Sequence, residues 1–265
     1  MAKAAGRKRR SNARRRGRCV ARVGRVVLVL AVLAVAGAAV LWASIPDVGY
    51  LADENPDTTA FIELRERQAE EAGEPFELRW SWRRLPEISP YLQRAVVVSE
   101  DARFWDHDGV DWDAVENAAK ENWEAKALVR GASTISQQVA KNLYLSPSRS
   151  PLRKLRELLI TRRLEAELSK RRILAIYLNI AEWGPGVFGA EAAARHWFGR
   201  SADELTPSQA ARLAVALPNP HTRSPASDAP HLVRRARRLV RAMHHSGLID
   251  RATLERAHAE LEQAP

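Results

Sequence analysis

Between Ser99 and Val115 the chain reads SEDARFWDHDGVDWDAV, with Glu100, Asp101, Asp106, His107, Asp108, Asp111 and Asp113 set among three aromatic side chains. Three readings fit so much acid beside one histidine: a wet acidic loop, an acid/base site, or a metal site. The metal reading fits least, because His107 has no second histidine at helical spacing and no calcium-loop register surrounds it. The acid/base reading centres on Glu100, which a helix carrying AVVV delivers at its C-terminal end. Apolar neighbours and the negative end of the helix dipole both raise a carboxyl pKa there, as a general base near neutral pH requires.

A second constellation, RGASTISQQVAKNLYL (130–145), places small and hydroxylated residues at a helix start, where free N–H groups favour an anion. Ser133, Gln137 and Lys141 recur every four residues and share a face, with Thr134, Gln138 and Asn142 beside them. A phosphate or sugar cradle and an ordinary capped helix both fit. In the third, Arg149, Arg153 and Glu157 also follow at intervals of four, with Lys154 alongside. Taken alone this row is as well explained by a solvated (i, i+4) ion pair, worth a few tenths of a kcal/mol.

Helices must position these groups. From Ser89 onward the apolar periodicity predicts helices over 90–104, 111–127, 134–144, 151–168, 170–181, 189–198, 207–217, 229–246 and 250–263. Three of them start with a hydroxyl residue before proline: Ser89-Pro90, Ser150-Pro151 and Thr206-Pro207. Asp111 and Asp250 are further expected caps, and Gly199 and Gly247 are expected to close helices. ELRWSWRRL alternates enough to allow a strand, and no βαβ alternation or internal repeat is present. The expected class is mainly α.

The charge is unevenly spread. Of 42 Lys and Arg, eleven fall in residues 1–25, which hold no acid; the remaining 31 are matched by 32 Asp and Glu. The high pI therefore belongs to a tail, and nucleic acid is not expected as a partner. Residues 26–45 carry no charge over twenty positions, long enough to span a bilayer and longer than a signal-peptide core. The arginines predict a tail on the cytoplasmic side and a body outside. The expected organisation is a basic tail (1–25), a transmembrane helix (26–45), a connector (46–88) and a main helical domain (89–265). The single cysteine, Cys19, lies in the tail, so neither disulfides nor thiolate zinc sites are expected in the body.

Taken in order, EDARFWDHDGVD, GASTISQQVAKNLYL, RKLRELL and ILAIYLNIAEWGPGVFGAEAAARHWFG resemble the consecutive motifs of the peptidoglycan glycosyltransferase family. The similarity runs from about Pro56 to Pro220 and is greatest to the monofunctional biosynthetic transglycosylases, in which no transpeptidase domain is expected to follow. The resemblance implies a lysozyme-like fold with a small membrane-proximal subdomain. It implies polymerisation of lipid II into β-1,4 glycan strands at the outer face of the cytoplasmic membrane, with release of undecaprenyl diphosphate. Glu100 then falls on the general base and Glu157 on the second essential glutamate. Ser133, Thr134, Gln137, Gln138, Lys141, Asn142, Arg149, Arg153 and Lys154 fall on substrate-holding positions. Asp101, Phe104, His107, Gly109 and Asp111 are expected to support the site. Mg2+ or Mn2+ on the substrate diphosphate, the lipid-linked glycan chain and other cell-wall synthesis proteins complete the implied partners. A glycan-cleaving rival on a similar fold needs an acid for its leaving group but no row of cations for a diphosphate.

Overall fold

The structure, a computed structural model, describes residues 25, 27–37, 39–127, 131–148 and 150–263. They fall in two compact units, residues 1–46 and 47–265. In the first, residues 27–37 and 39–43 are helical and their valines and leucines, Leu41 excepted, are exposed. Among the described residues no helix is long and apolar enough to cross a membrane. The expected span 26–45 includes Val26 and Ala38, which lie outside the described residues, as do Cys19 and all of the basic tail but Arg25.

The second unit takes in the segment expected as a connector. Helix α1 (Ala60–Ala72) starts where the Thr59 hydroxyl accepts from Ile62 N at 3.0 Å, and ends at Gly73. Strand β1 (Arg79–Trp80) pairs in parallel with β3 (Val187–Phe188), which runs antiparallel to β2 (Glu182–Gly184), giving the order β1-β3-β2. The β2–β3 hairpin is absent from the sequence-based expectation, because strands of two or three residues offer too few alternations to register as a period.

The helices follow the expected series: α2 (Pro90–Glu100), α3 (Trp112–Ala125), α4 (Ile135–Tyr144), α5 (Pro151–Glu167), α6 (Lys170–Ile180), α7 (Ala190–Phe198), α8 (Pro207–Ala216), α9 (Pro230–His245) and α10 (Arg251–Glu260). Asp111, Ser150, Thr206 and Asp250 accept from backbone N–H groups as caps. Ser89 does not; its hydroxyl donates to Leu205 O at 3.1 Å and ties the start of α2 to the segment before α8.

Two helices are buried almost all round, as an element walled in by others must be. In α6 every residue from Ile173 to Ile180 is buried, and α8 is buried at every position but Gln209, with alanine at 210, 211, 214 and 216. The small residues let α2 and α9 pack closely against α8, while α4 lies against α5 and α6. Helix α3 stands apart: it buries only Ala118 and leaves Trp112 and Trp123 exposed.

The junction of α6 with the sheet is closed by Asn179. Its side chain exchanges hydrogen bonds with Arg83 N (2.7 Å) and Arg83 O (2.9 Å), and its carbonyl accepts from Trp80 Nε1 at 2.7 Å. Gly189 comes so close that a Cβ there would lie 2.7 Å from that same carbonyl, at φ 81°. Gly189→Ala is expected to cost roughly 2–3 kcal/mol, from left-handed strain plus the clash. Gly73→Ala, with φ 68° and open space, supplies the strain alone at about 1 kcal/mol. Thermal unfolding of the two variants against the parent chain checks this; equal losses would show that the contact is slack.

Candidate active site

Helix α2 stops at Glu100, four residues earlier than its apolar pattern predicts. The reason is Asp101, whose backbone leaves the helix (φ −161°, ψ 75°) and whose buried carboxylate takes other partners. It accepts from His107 Nε2 at 3.0 and 3.1 Å and from Ile135 N at 2.9 Å, pinning the loop after α2 to the start of α4. Gly109 N donates to His107 Nδ1 at 3.1 Å, which puts the ring proton on Nε2, facing Asp101. Thr134 Oγ1 then donates to Gly109 O at 2.6 Å. At φ 88°, with Thr161 Cγ2 only 2.7 Å from where a Cβ would stand, Gly109 admits no side chain.

Phe104 is fully buried beneath the Lys170 ammonium, 4.6 Å from the ring centroid. Asp111 caps α3 through Ala114 N at 2.9 Å. The five residues expected to support the site, Asp101, Phe104, His107, Gly109 and Asp111, all lie between the end of α2 and the start of α3.

Glu100 lies on a cleft of about 350 Å³, walled by Ser99, Arg103, Asp111, Asn117, Ser133 and their neighbours. Gln138 Nε2 donates to Glu100 Oε2 at 3.0 Å, and Tyr177 OH donates to Gln138 Oε1 at 3.1 Å. Burial pushes the Glu100 carboxyl above the ordinary range; the Gln138 hydrogen bond and the charges of Arg235, Arg223 and Lys141 pull the other way without cancelling it.

The second carboxylate, Glu157, is buried on α5 and bound by Arg153 through one oxygen and Lys154 through the other. Neither Glu157 nor its cations line the cleft beside Glu100. The link is Lys141 on α4, half-buried, with its ammonium 5.3 Å from the Phe61 ring centroid. Burial depresses its pKa, and it feels both Glu157 and Glu100 as attracting charges.

The structure divides the α4 residues by job. Thr134 and Gln137 form a reciprocal cap, Gln137 N donating to Thr134 Oγ1 at 3.2 Å and Thr134 N donating to Gln137 Oε1 at 3.1 Å. Their polar atoms thus serve the helix start, and Asn142 is buried. Ser133 is exposed on the cleft wall, and Gln138 and Lys141 face the two carboxylates. Arg149 lies outside the described residues.

Three residues near the site carry no individual signal in the sequence. Tyr177 is an aromatic in an apolar run, indistinguishable there from packing. Arg223 and Arg235 come from the loop before α9 and from α9 itself, whose basic amphipathic pattern does not say which way its arginines face. Both guanidinium groups act on Glu100, and Arg223 Nη1 is buried with no hydrogen-bond partner among the described residues. Burial and the charge of Arg223 depress the pKa of Arg235.

The family model described as Transglycosylase matches residues 68–244, which takes in both carboxylates, every cation named above and nearly all of α9. The chain belongs to the transglycosylase family. A biosynthetic peptidoglycan transglycosylase of Chromobacterium violaceum is 48% identical over 194 residues, covering 73% of this chain and 85% of that one. Proteins of the same name from Methylobacillus flagellatus (46% identical, covering 73% of this chain and 85% of that one) and Aromatoleum aromaticum (50%, 70% and 80%) are similar over nearly the same length. The transglycosylase match passes Pro220, where the motif resemblance stops, so the helix bearing Arg235 is part of the family domain.

The raised pKa of Glu100 has a cost in stability. A carboxyl whose folded pKa lies above its unfolded value stabilises the fold below the unfolded pKa, and that stabilisation is lost as pH rises through the folded one. Glu100→Gln removes this ionisation and can still accept from Gln138. The transglycosylase carrying it is expected to melt with the parent near pH 4 and above it at pH 8. A difference that shrinks from pH 4 to pH 8 would contradict the burial of an ionised Glu100.

Proposed function

We propose that this transglycosylase polymerises lipid II into β-1,4 glycan on a lysozyme-like fold, with Glu100 as general base. The observation that carries the reading is a desolvated carboxylate of raised pKa opening on a cleft and coupled through Lys141 to a carboxylate–cation cluster at Glu157. The relatives named biosynthetic peptidoglycan transglycosylases support the substrate class.

The acceptor is lipid II and the donor a growing chain α-linked to undecaprenyl diphosphate. The acceptor 4-hydroxyl attacks the donor anomeric carbon and passes its proton to Glu100. The new carbon–oxygen bond forms as the bond to the diphosphate breaks, and the configuration inverts from α to β in one displacement. The departing diphosphate gathers negative charge, which Lys141, Arg153 and Lys154, with Arg149 by resemblance, neutralise. Glu157 holds Arg153 and Lys154 at that end.

A divalent ion held by the protein does not fit these residues. Both Glu157 oxygens are taken by cations, and the described residues hold no group of three metal-ligating side chains. Mg2+ or Mn2+ enters the proposal only as part of the diphosphate substrate, and no step runs through it.

A substrate confined to a bilayer favours an enzyme tethered there, which gives the uncharged segment 26–45 its purpose as an anchor with the body outside the cytoplasm. The exposed Trp112 and Trp123 on the thinly packed α3 suit contact with the same membrane.

Polymerisation of labelled lipid II tests the reading. Glu100→Gln is expected to lose roughly 10²–10⁴-fold in rate with lipid II binding retained. Incubation of the parent enzyme with purified sacculi is expected to release no soluble fragments. Parent-like polymer from the variant, or fragments from sacculi, would overturn the assignment.

A further inference from the structure

A glutamine amide offers a donor at one end and an acceptor at the other, and beside an ionised carboxylate only one orientation is tolerable. Gln138 must present Nε2 to Glu100, yet nothing in the amide enforces that choice. Tyr177, from α6, is 1% exposed, and its hydroxyl has one hydrogen-bond partner among the described residues, Gln138 Oε1. A phenol kept protonated can hold that carbonyl by donation. Burial, with the charges of Glu100 and Asp101, pushes the Tyr177 pKa well above its ordinary value, so the hydroxyl keeps its proton. The chain Tyr177–Gln138–Glu100 therefore has one self-consistent direction when Glu100 is ionised. It also leaves Glu100 Oε1 as the carboxylate oxygen without a protein hydrogen bond among the described residues.

We propose that Tyr177 is a positioning residue for the polymerisation step: its hydroxyl locks the Gln138 amide so that Nε2 holds Glu100 Oε2, and Oε1 takes the acceptor's proton. This rests on Glu100 being the general base. The other charges facing Glu100 are Lys141 from α4, Arg223 from the loop before α9 and Arg235 from α9, with Asp101 the next residue in the chain; all stay in place when the tyrosine hydroxyl is removed.

The test is steady-state polymerisation of labelled lipid II by the full-length chain in detergent, followed from about pH 5 to pH 9, a range that brackets a raised carboxyl pKa. Tyr177→Phe deletes only the hydroxyl and frees the amide to turn. Gln138 then stabilises the ionised Glu100 less, its pKa rises, and the acid limb of kcat moves to higher pH. The expected shift is roughly one pH unit, so that kcat on the acid limb falls by up to about tenfold while KM stays within about twofold. Gln138→Leu is expected to shift the limb in the same direction. The double variant should be no worse than Gln138→Leu alone, because the tyrosine acts only through the amide.

A lowered kcat with an unmoved acid limb in Tyr177→Phe would reduce the tyrosine to a packing role and overturn the proposal, as would multiplicative losses in the double variant. Should Tyr177→Phe lack a cooperative melt, Gln138→Leu decides alone: an unmoved limb there removes the relay. Glu100→Gln separates the two claims. Activity in that variant sinks the base assignment itself, whereas an inactive Glu100→Gln with an unmoved limb in the other variants sinks only the role of Tyr177.

Discussion

One buried carboxylate ties this site together by bonding to the protein itself. Asp101 accepts from His107 and from the first backbone N–H of α4, so the end of one helix and the beginning of another meet at a single side chain. Without it, a buried imidazole N–H and a buried backbone N–H would each lose an acceptor, at about 1–3 kcal/mol apiece. Everything nearby answers to that constraint. Gly109 takes a left-handed backbone so that the loop can close against Thr134, and Phe104 is packed beneath Lys170. Glu100, one residue earlier, meets Gln138 of α4 at 3.0 Å.

From that position the electrostatics follow. Burial disfavours the ionised form of Glu100, and cations from three places restore part of the loss: Lys141 on α4, Arg223 before α9 and Arg235 on α9. None of them forms an ion pair with Glu100 within 4 Å. A direct ion pair would drive the carboxyl pKa down and leave too weak a base. Glu157 shows the opposite arrangement, with both oxygens bound by cations at short range. The two acids differ in partners: Glu100 has one amide donor and a cleft beside it, whereas Glu157 has a cation on each oxygen. Lys141 lies within range of both carboxylates and feels each as an attracting charge.

Much of this architecture was legible in residue order. Helix starts read well because capping is local: Ser150, Thr206, Asp111 and Asp250 all cap within three residues of themselves. Where a hydroxyl found a distant partner the local rule failed, as Ser89 shows by bonding to Leu205. The end of α2 was misplaced for the same reason, since Asp101 stops the helix by contacts 6 and 34 residues away. Glu100 and Glu157 could be nominated from their motifs. The surroundings that give each its character could not, because Tyr177, Arg223 and Arg235 arrive from elements far along the chain. The polar face of α4 also hides a division of labour, with Thr134 and Gln137 closing the helix start while Gln138 and Lys141 turn to the carboxylates.

The neighbouring pair Glu100-Asp101 shows how one peptide bond can separate two uses of the same functional group. Both carboxylates lie at the end of α2, both are removed from bulk water to some degree, and both feel the negative end of the helix. Asp101 spends its lone pairs on the protein, and so becomes part of the scaffold. Glu100 has one protein hydrogen bond, at Oε2, and a cleft beside it. A side chain with an oxygen unclaimed by the fold can be claimed by a substrate. Of this pair, the acid with an unclaimed oxygen on the cleft is therefore the better candidate for chemistry, and its bonded neighbour holds the backbone beside it.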